Sequence, residues 1–270
     1  MQRKSLTTLA ANPDFVAGIY NYCDRWCERC PLTSRCLVYT TEQDNDAIPT
    51  SRDTENDGFW QNLMQYRAQA DKLIPEWAKQ VGFSLNAPEE HQSSRRRRKP
   101  GVDKHPFVKA GKQYANAVSD WFRELDQTID VSILTFIANA ADAAATGTKL
   151  DRHETQPFES VREVIRWYQY QISVKTMRAL STHNDELDDS ETNDLPKDSD
   201  GSAKVALIGI DRSIAAWRFM QLSLPERAES IVPLILQLAC LRNSLLQGFP
   251  KASEFIRPGF DDLLTSQSDS

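Results

Sequence analysis

Glycine and proline are scarce in this chain, 10 and 13 of 270 residues, and the intervals between them are rich in Ala, Leu, Gln, Glu and Arg. Breakers that rare favour helices. No alternating apolar and polar run bounded by turn signals is present, so a sheet is not expected. Nor does any segment repeat at a fixed period.

Long apolar runs are also missing. The best window, 231–241, contains Pro233 and Gln237 and falls short of the roughly 18 residues that a membrane helix needs. The N-terminal stretch MQRKSLTTLAANPDF has basic residues but no apolar centre, so neither a secretory signal nor a membrane partner is expected, and the expected location is cytoplasmic. A hydrophobic content of 40% lies slightly below the usual range, yet it allows a sizeable core and excludes wholesale disorder. The formal charge of -6 is uneven, because residues 185–200 hold eight Asp or Glu against one Lys. The remainder is close to neutral.

These features predict an all-α fold, a helical bundle with an N-terminal cysteine-rich metal-binding segment. The expected divisions are the cysteine segment 1–40, an amphipathic helix 58–82, a basic linker 86–106 and a bundle 107–260 with an acidic loop 182–202. A polar loop with Pro49 spans 40–57. The first helix should run over 59–81 with Phe59, Leu63, Tyr66, Ala70, Leu73 and Trp77 on one face, ending at Gly82. Residues 107–145 read as helical with a break near Asp130. In 158–180, Val161, Val164, Ile165, Tyr168, Ile172 and Ala179 should face the core, with Arg162, Arg166, Gln169 and Ser173 opposite. Helices at 203–222 and 226–247, with Pro225 at the first position of the second, should form an antiparallel hairpin at the bundle centre. The tail should fray at its last serines.

Cysteine is where the sequence becomes specific. Four of the five cysteines fall within fourteen residues, as Cys23, Cys27, Cys30 and Cys36 in the pattern C-x3-C-x2-C-x5-C, while Cys240 stands alone in an apolar helix. In a reducing compartment such clustering points to metal rather than disulfides. If 23–30 is helical, steps of four and three residues put the first three cysteines on one face. Pro31 then ends the helix and lets the chain turn Cys36 back towards them. Phe15, Tyr20, Tyr22 and Trp26 could shield the sulfurs, and Arg25, Arg29 and Arg35 could offset thiolate charge. Charge does not select the metal, since four thiolates leave a net charge of about -2 around either Zn(II) or an oxidised 4Fe-4S cluster. Spacing does: zinc sites usually draw on two short pairs far apart, whereas iron-sulfur clusters take several cysteines from one compact run. A 4Fe-4S cluster is therefore the expected cofactor, with a zinc staple or plain reduced thiols as alternatives.

The stretch CERCPLTSRC resembles the C-x2-C-x5-C half of the cluster loop in adenine DNA glycosylases and endonuclease III-type enzymes. It is also similar to the C-terminal cluster cysteines of RecB-like CRISPR adaptation nucleases. The resemblance implies that Cys27, Cys30 and Cys36 are iron ligands. It implies no activity, because the first spacing is three residues where the glycosylases have six, and neither a helix-hairpin-helix turn nor a nuclease constellation follows. Cys23, Cys27 and Cys30 also match the radical SAM pattern, but Arg29 stands where that family has an aromatic residue and Cys36 is free to cap the remaining iron. Together with RWYQY and GSAKVALI, the segment looks like uncharacterised bacterial cysteine-cluster helical proteins of similar length.

Other candidates are weaker. His91, His105, His153 and His183 fall in expected loops without a Glu-x-x-His pair, which argues against a bundle di-iron site. Glu163, Asp142 and Asp211 could point inward. Asp211, after VALIGI and beside Arg212, is either a buried polar site or an Asp paired with an arginine such as Arg166, Arg178 or Arg218. Arg95, Arg96, Arg97, Arg98 and Lys99, with Lys104, Lys109 and Lys112, could contact nucleic acid, although such a run is more often a solvated linker. The expected function is an iron-sulfur helical protein with a structural or redox-sensing cluster. The alternative is a zinc-stapled scaffold for a protein or nucleic-acid partner, and a third reading is an enzyme with catalytic groups in the bundle.

Overall fold

The computed structural model describes residues 12–42, 52–86, 101–145, 155–186 and 195–261. Among these residues the protein is all-α, with no strand. Its helices are α1 (Leu37–Glu42), α2 (Asp53–Gln80), α3 (Pro106–Ala145), α4 (Thr155–Glu186), α5 (Asp198–Ser223) and α6 (Ala228–Gly248). The expected break near Asp130 is not there, and α3 is one continuous helix. The basic run Arg95, Arg96, Arg97, Arg98 and Lys99, the last serines, His91, His153 and the side chain of Asp142 lie outside the described residues.

Helices α3, α4, α5 and α6 close on one another as a four-helix bundle, each packing on its chain neighbour and α3 on α6. The side-chain pairings give the directions. Arg162 of α4 meets Asp126 of α3, Gln169 reaches Ser119, and Ser173 lies beside Gly111. Along α5 and α6, Gln221 bonds the Ala228 carbonyl near the turn, while Asp211 meets Arg242 further on. Successive helices therefore run antiparallel, as the 203–222 and 226–247 hairpin required. Pro225 opens a short 3-10 turn that leads into α6. By length and composition α6 and this turn are apolar enough to cross a membrane, but here Ile231, Leu234, Ile235, Leu238 and Leu245 belong to the bundle core.

Helix α5 is the central element and also packs against α2. Trp217, Ile210, Ile214 and Met220 are fully buried, each contributing about 1.5–3 kcal/mol of apolar burial. Trp217 packs against Trp121 and Phe122 and donates its indole N–H to Tyr114 at 2.9 Å. Close approach depends on small residues: an added Cβ at Gly209 would lie 2.9 Å from Tyr168, and one at Gly201 would lie 2.5 Å from Tyr22.

Three sequence expectations are corrected. The buried face of α2 is Asn56, Trp60, Leu63, Arg67, Ala70, Ile74 and Ala78, rotated one residue from the apolar pattern, with Phe59, Tyr66 and Trp77 flanking it. Polar Asn56 and Arg67 disguise that face because both are buried with partners. Gln169 and Ser173 are buried rather than exposed. Gln169 donates to the Ala115 carbonyl at 2.7 Å, so polarity there joins α3 to α4. Finally, much of the expected acidic loop is helical. Glu186 ends α4 and accepts hydrogen bonds from Ser199, while Asp200 caps the start of α5 through the Lys197 N–H. His183 accordingly sits in the last turn of α4.

Gly82 stops α2 as expected. It adopts φ 66°, and the Phe83 N–H bonds the Ala78 carbonyl at 2.8 Å, a Schellman ending. After α6 the chain returns to the N-terminal segment, where Phe255 packs on Tyr22. Arg257 and Lys204 clasp Asp261 there at 2.8 and 3.0 Å.

Gly201→Ala should lower stability by about 1–2 kcal/mol despite the better helix propensity of Ala, because its methyl meets the Tyr22 and Phe255 rings. Gly58→Ala, with nothing within 4 Å, should instead raise it by about 0.5–1 kcal/mol, both read by denaturant unfolding. At Asp261 burial opposes ionisation, but Arg257 and Lys204 outweigh it and bring the carboxyl down to about 2. A carboxyl held below its unfolded value stabilises the fold at neutral pH and loses that contribution as pH falls through the folded value. Asp261→Asn should therefore cost about 2 kcal/mol at pH 7, with the difference from the parent closing as the pH is lowered towards 2.

Candidate functional site

The cysteine segment is not the helix that its spacing allows. Short 3-10 turns at Ile19–Tyr22, Cys27–Arg29 and Thr33–Arg35 are joined by extended residues, and Arg25 takes φ 60°. A chain so wound has few backbone partners of its own, and the helices supply them. From α2, Asn56 donates to the Glu28 and Cys30 carbonyls at 3.2 and 3.0 Å, and Trp60 to the Arg29 carbonyl at 2.8 Å. From α4, Gln171 donates to the Asp24 carbonyl, Lys175 to Cys23 and Arg178 to Asn21, at 2.8, 2.8 and 3.2 Å. Asp53, at the start of α2, accepts both the N–H and the hydroxyl of Thr33 and of Ser34.

This winding brings Cys23, Cys27, Cys30 and Cys36 to the wall of one cavity of about 20 Å³. Ile19, Leu32, Val38, Tyr39 and Phe260 complete much of the lining, together with Tyr20 and Trp26. Of the expected shields, Phe15 is elsewhere, and Tyr22 packs on Phe255 and bonds Asp198 at 2.6 Å. Among the described residues no group of three or more His, Cys, Asp or Glu side chains is gathered as a single metal ion requires. Burial pushes the Cys23 thiol up, takes Cys27 to about 11 with help from Cys23 and Cys36, and takes Cys30 to about 12. A backbone N–H opposes this at Cys30, where Leu32 donates to the sulfur at 3.4 Å. The N–H of Arg25 acts likewise on Cys23. The Tyr39 N–H donates to the Cys36 sulfur at 3.5 Å.

The expected arginine shell is only partly present. Arg25 favours the Cys23 thiolate and pairs with Glu42 at 3.8 Å. Arg29 turns outward to Ser160 and Glu163 and lies over Phe59, its Cζ 4.5 Å from the ring centre. The cations behind the cysteines come from the bundle instead. Lys175 reaches Cys23, and Arg212, which feels Cys30, pairs with Asp24 at 2.7 Å and accepts the face of Trp60 at 3.6 Å. Tyr168 hydrogen-bonds both Asp24 and Arg212. Burial works against the Arg212 charge, but Tyr168 and Asp24 more than compensate. These partners lie 144 and 188 positions from Asp24, beyond any spacing argument.

A second cavity, an open cleft of about 1010 Å³, adjoins the first, with Trp26 in the walls of both. Its sides come from the cysteine loop, α2, α4 and Phe219 of α5.

The remaining candidates resolve as structural contacts. Asp211 pairs with Arg67 at 2.9 Å and Arg242 at 2.8 Å, tying α2, α5 and α6 together. Arg166, Arg178 and Arg218 are not its partners; Arg166 meets Asp126, Arg178 meets Asp198 and Arg218 bonds Gln221. Glu163 is exposed rather than inward-pointing. His105 packs on Phe107, His183 on Phe249, and Cys240 stands apart with its sulfur 3.9 Å from the Asn86 carbonyl.

Comparison with protein-family models, curated proteins and solved structures finds no match to this chain.

Asp211→Asn should lower stability by about 2 kcal/mol, since it weakens charged hydrogen bonds to two arginines. Denaturant unfolding measures that loss, and the metal content per folded chain should be unchanged.

Proposed function

We propose that this chain is an iron-sulfur protein in which Cys23, Cys27, Cys30 and Cys36 hold a 4Fe-4S cluster on a rigid helical bundle. The convergence of all four sulfurs on one apolar cavity carries this reading. Spacing favours the cluster over zinc, because all four cysteines come from one compact run rather than from two distant pairs. Four soft donors without a carboxylate or imidazole suit either metal but not a hard cation.

With four cysteine ligands no iron position stays open, so the group would supply structural constraint or one-electron redox chemistry rather than Lewis acidity. The chain's own residues do the tuning. The Leu32 N–H favours the Cys30 thiolate, and the Tyr39 N–H donates to the Cys36 sulfur. Lys175 and the buried Arg212 offset the charge from behind. The cavity of about 20 Å³ holds little more than a water-sized body, so Cys23, Cys27, Cys30 and Cys36 would have to move apart to hold the group. A reducing, cytoplasmic setting keeps the thiols free for metal.

Anaerobically purified protein should contain about four irons and four acid-labile sulfides per chain, with broad absorbance near 400 nm. Cys27→Ser should lose that absorbance and Cys240→Ser should keep it. One zinc per chain without sulfide would overturn the iron-sulfur reading and leave the loop as a zinc staple.

A further inference from the structure

We propose that the cleft beside the cysteine loop is a nucleotide-binding site, with the base stacked on Trp167 and the phosphate held by Arg52 and Arg166. The inference stands on the cleft and does not depend on which metal the cysteines bind.

The cleft, about 1010 Å³, has room for a nucleotide, since pockets for small molecules run from roughly 300 to 1,000 Å³. Its floor is aromatic. Trp167 stacks on Trp26, with ring centres 4.9 Å apart and planes 14° apart, yet remains 36% exposed in the wall. A supported tryptophan that is still open to solvent is a stacking surface for a further planar ring. Phe59, Tyr66 and Phe219 extend the apolar lining.

The charged groups divide by mobility. Arg29 is fixed, bonded to Ser160 and Glu163 with Phe59 beneath it. Arg52 and Arg166 have side chains 68% and 48% exposed and pair with solvent-facing Glu55 and Asp126, and Arg166 also lies over the Phe122 ring, its Cζ 4.7 Å from the ring centre. Exposed pairs of that kind are weak, so either guanidinium can turn to a phosphate, which it binds in bidentate fashion. Glu28, Glu163, Asn62 and Ser160 add acceptors and donors to the same walls. A bare anion would meet two carboxylates at no advantage. A nucleotide uses both signs, because its sugar hydroxyls and base amino groups donate where its phosphate accepts.

The nucleotide unit could arrive free or as part of a single strand, and titration of the full chain separates these sources. The probes are AMP, GMP, CMP and UMP, followed by tryptophan fluorescence, and a labelled single-stranded oligonucleotide of about 12 residues, followed by anisotropy. Saturable binding is expected, with Trp167→Ala weakening it by about tenfold and Trp167→Phe restoring most of it. The pair Arg52→Ala with Arg166→Ala should weaken it to a similar extent and flatten its salt dependence, and Arg52→Ala alone, which removes no contact with the core, should weaken it in part. Mononucleotide binding assigns a free ligand, and oligonucleotide binding alone assigns a strand; either supports the site. Absence of saturable binding by every probe at millimolar concentration overturns the proposal. So does binding that survives both sets of cleft variants, including binding lost only when Arg95, Arg96, Arg97 and Arg98 are neutralised.

Discussion

The cysteine loop keeps its shape because side chains from two helices bond its backbone carbonyls. Asn56 and Trp60 of α2 and Gln171, Lys175 and Arg178 of α4 satisfy carbonyls from Asn21 to Cys30. Each bond contributes modestly, about 1 kcal/mol net, but an unsatisfied buried carbonyl costs more than a made bond gains. The loop can therefore take this path only while α2 and α4 stand at the right separation. Helix α5 packs against both and sets that separation. The positions of these four sulfurs are thus a property of the bundle, although Cys23, Cys27, Cys30 and Cys36 lie within the first 36 residues.

The dependence also runs the other way. Arg212 is largely buried in the bundle, its side chain 17% exposed, and its counter-charge, Asp24, belongs to the loop. Removing one partner of a buried pair strands the other charge, which is far worse than losing the pair's modest net stabilisation. Tyr168 and the face of Trp60 occupy the remaining sides of the guanidinium. Loop and bundle consequently fold as one unit, rather than as an appendage attached to a separate bundle. The division of the chain at residue 40 describes sequence composition and not mechanical independence.

Local pattern was enough to foresee the helices, the Gly82 stop and the α5–α6 hairpin, because each rests on apolar periodicity or a breaker within a few residues. The four cysteines were legible for the same reason. What sequence spacing misjudged were positions where a polar residue is buried by a distant partner. Arg67 and Asn56 turned the apparent face of α2, Gln169 and Ser173 passed for surface, and acidic residues at 186 and 200 passed for solvated loop while serving as helix ends. Cys23, Cys27 and Cys30 satisfied a helical spacing, yet helix side chains offered their backbone a better set of bonds. Several of these outcomes lack a local signal because the deciding partner is distant, 144 positions for Arg67 and Asp211 and 54 for Gln169 and Ala115, whereas Asp200 caps Lys197 from three positions away.

The same reasoning joins the two cavities. Trp26 lies between Asp24, whose carboxylate is anchored on Arg212, and Cys27, whose sulfur lines the closed cavity. Its indole closes that cavity on one side and supports Trp167 in the open cleft on the other. A displacement of Trp26 would alter the stack beneath Trp167 and, through Arg29, the contact with Phe59. Trp26 is thus shared by the cysteine loop and the cleft wall, and neither cavity can be repacked at that side chain without the other.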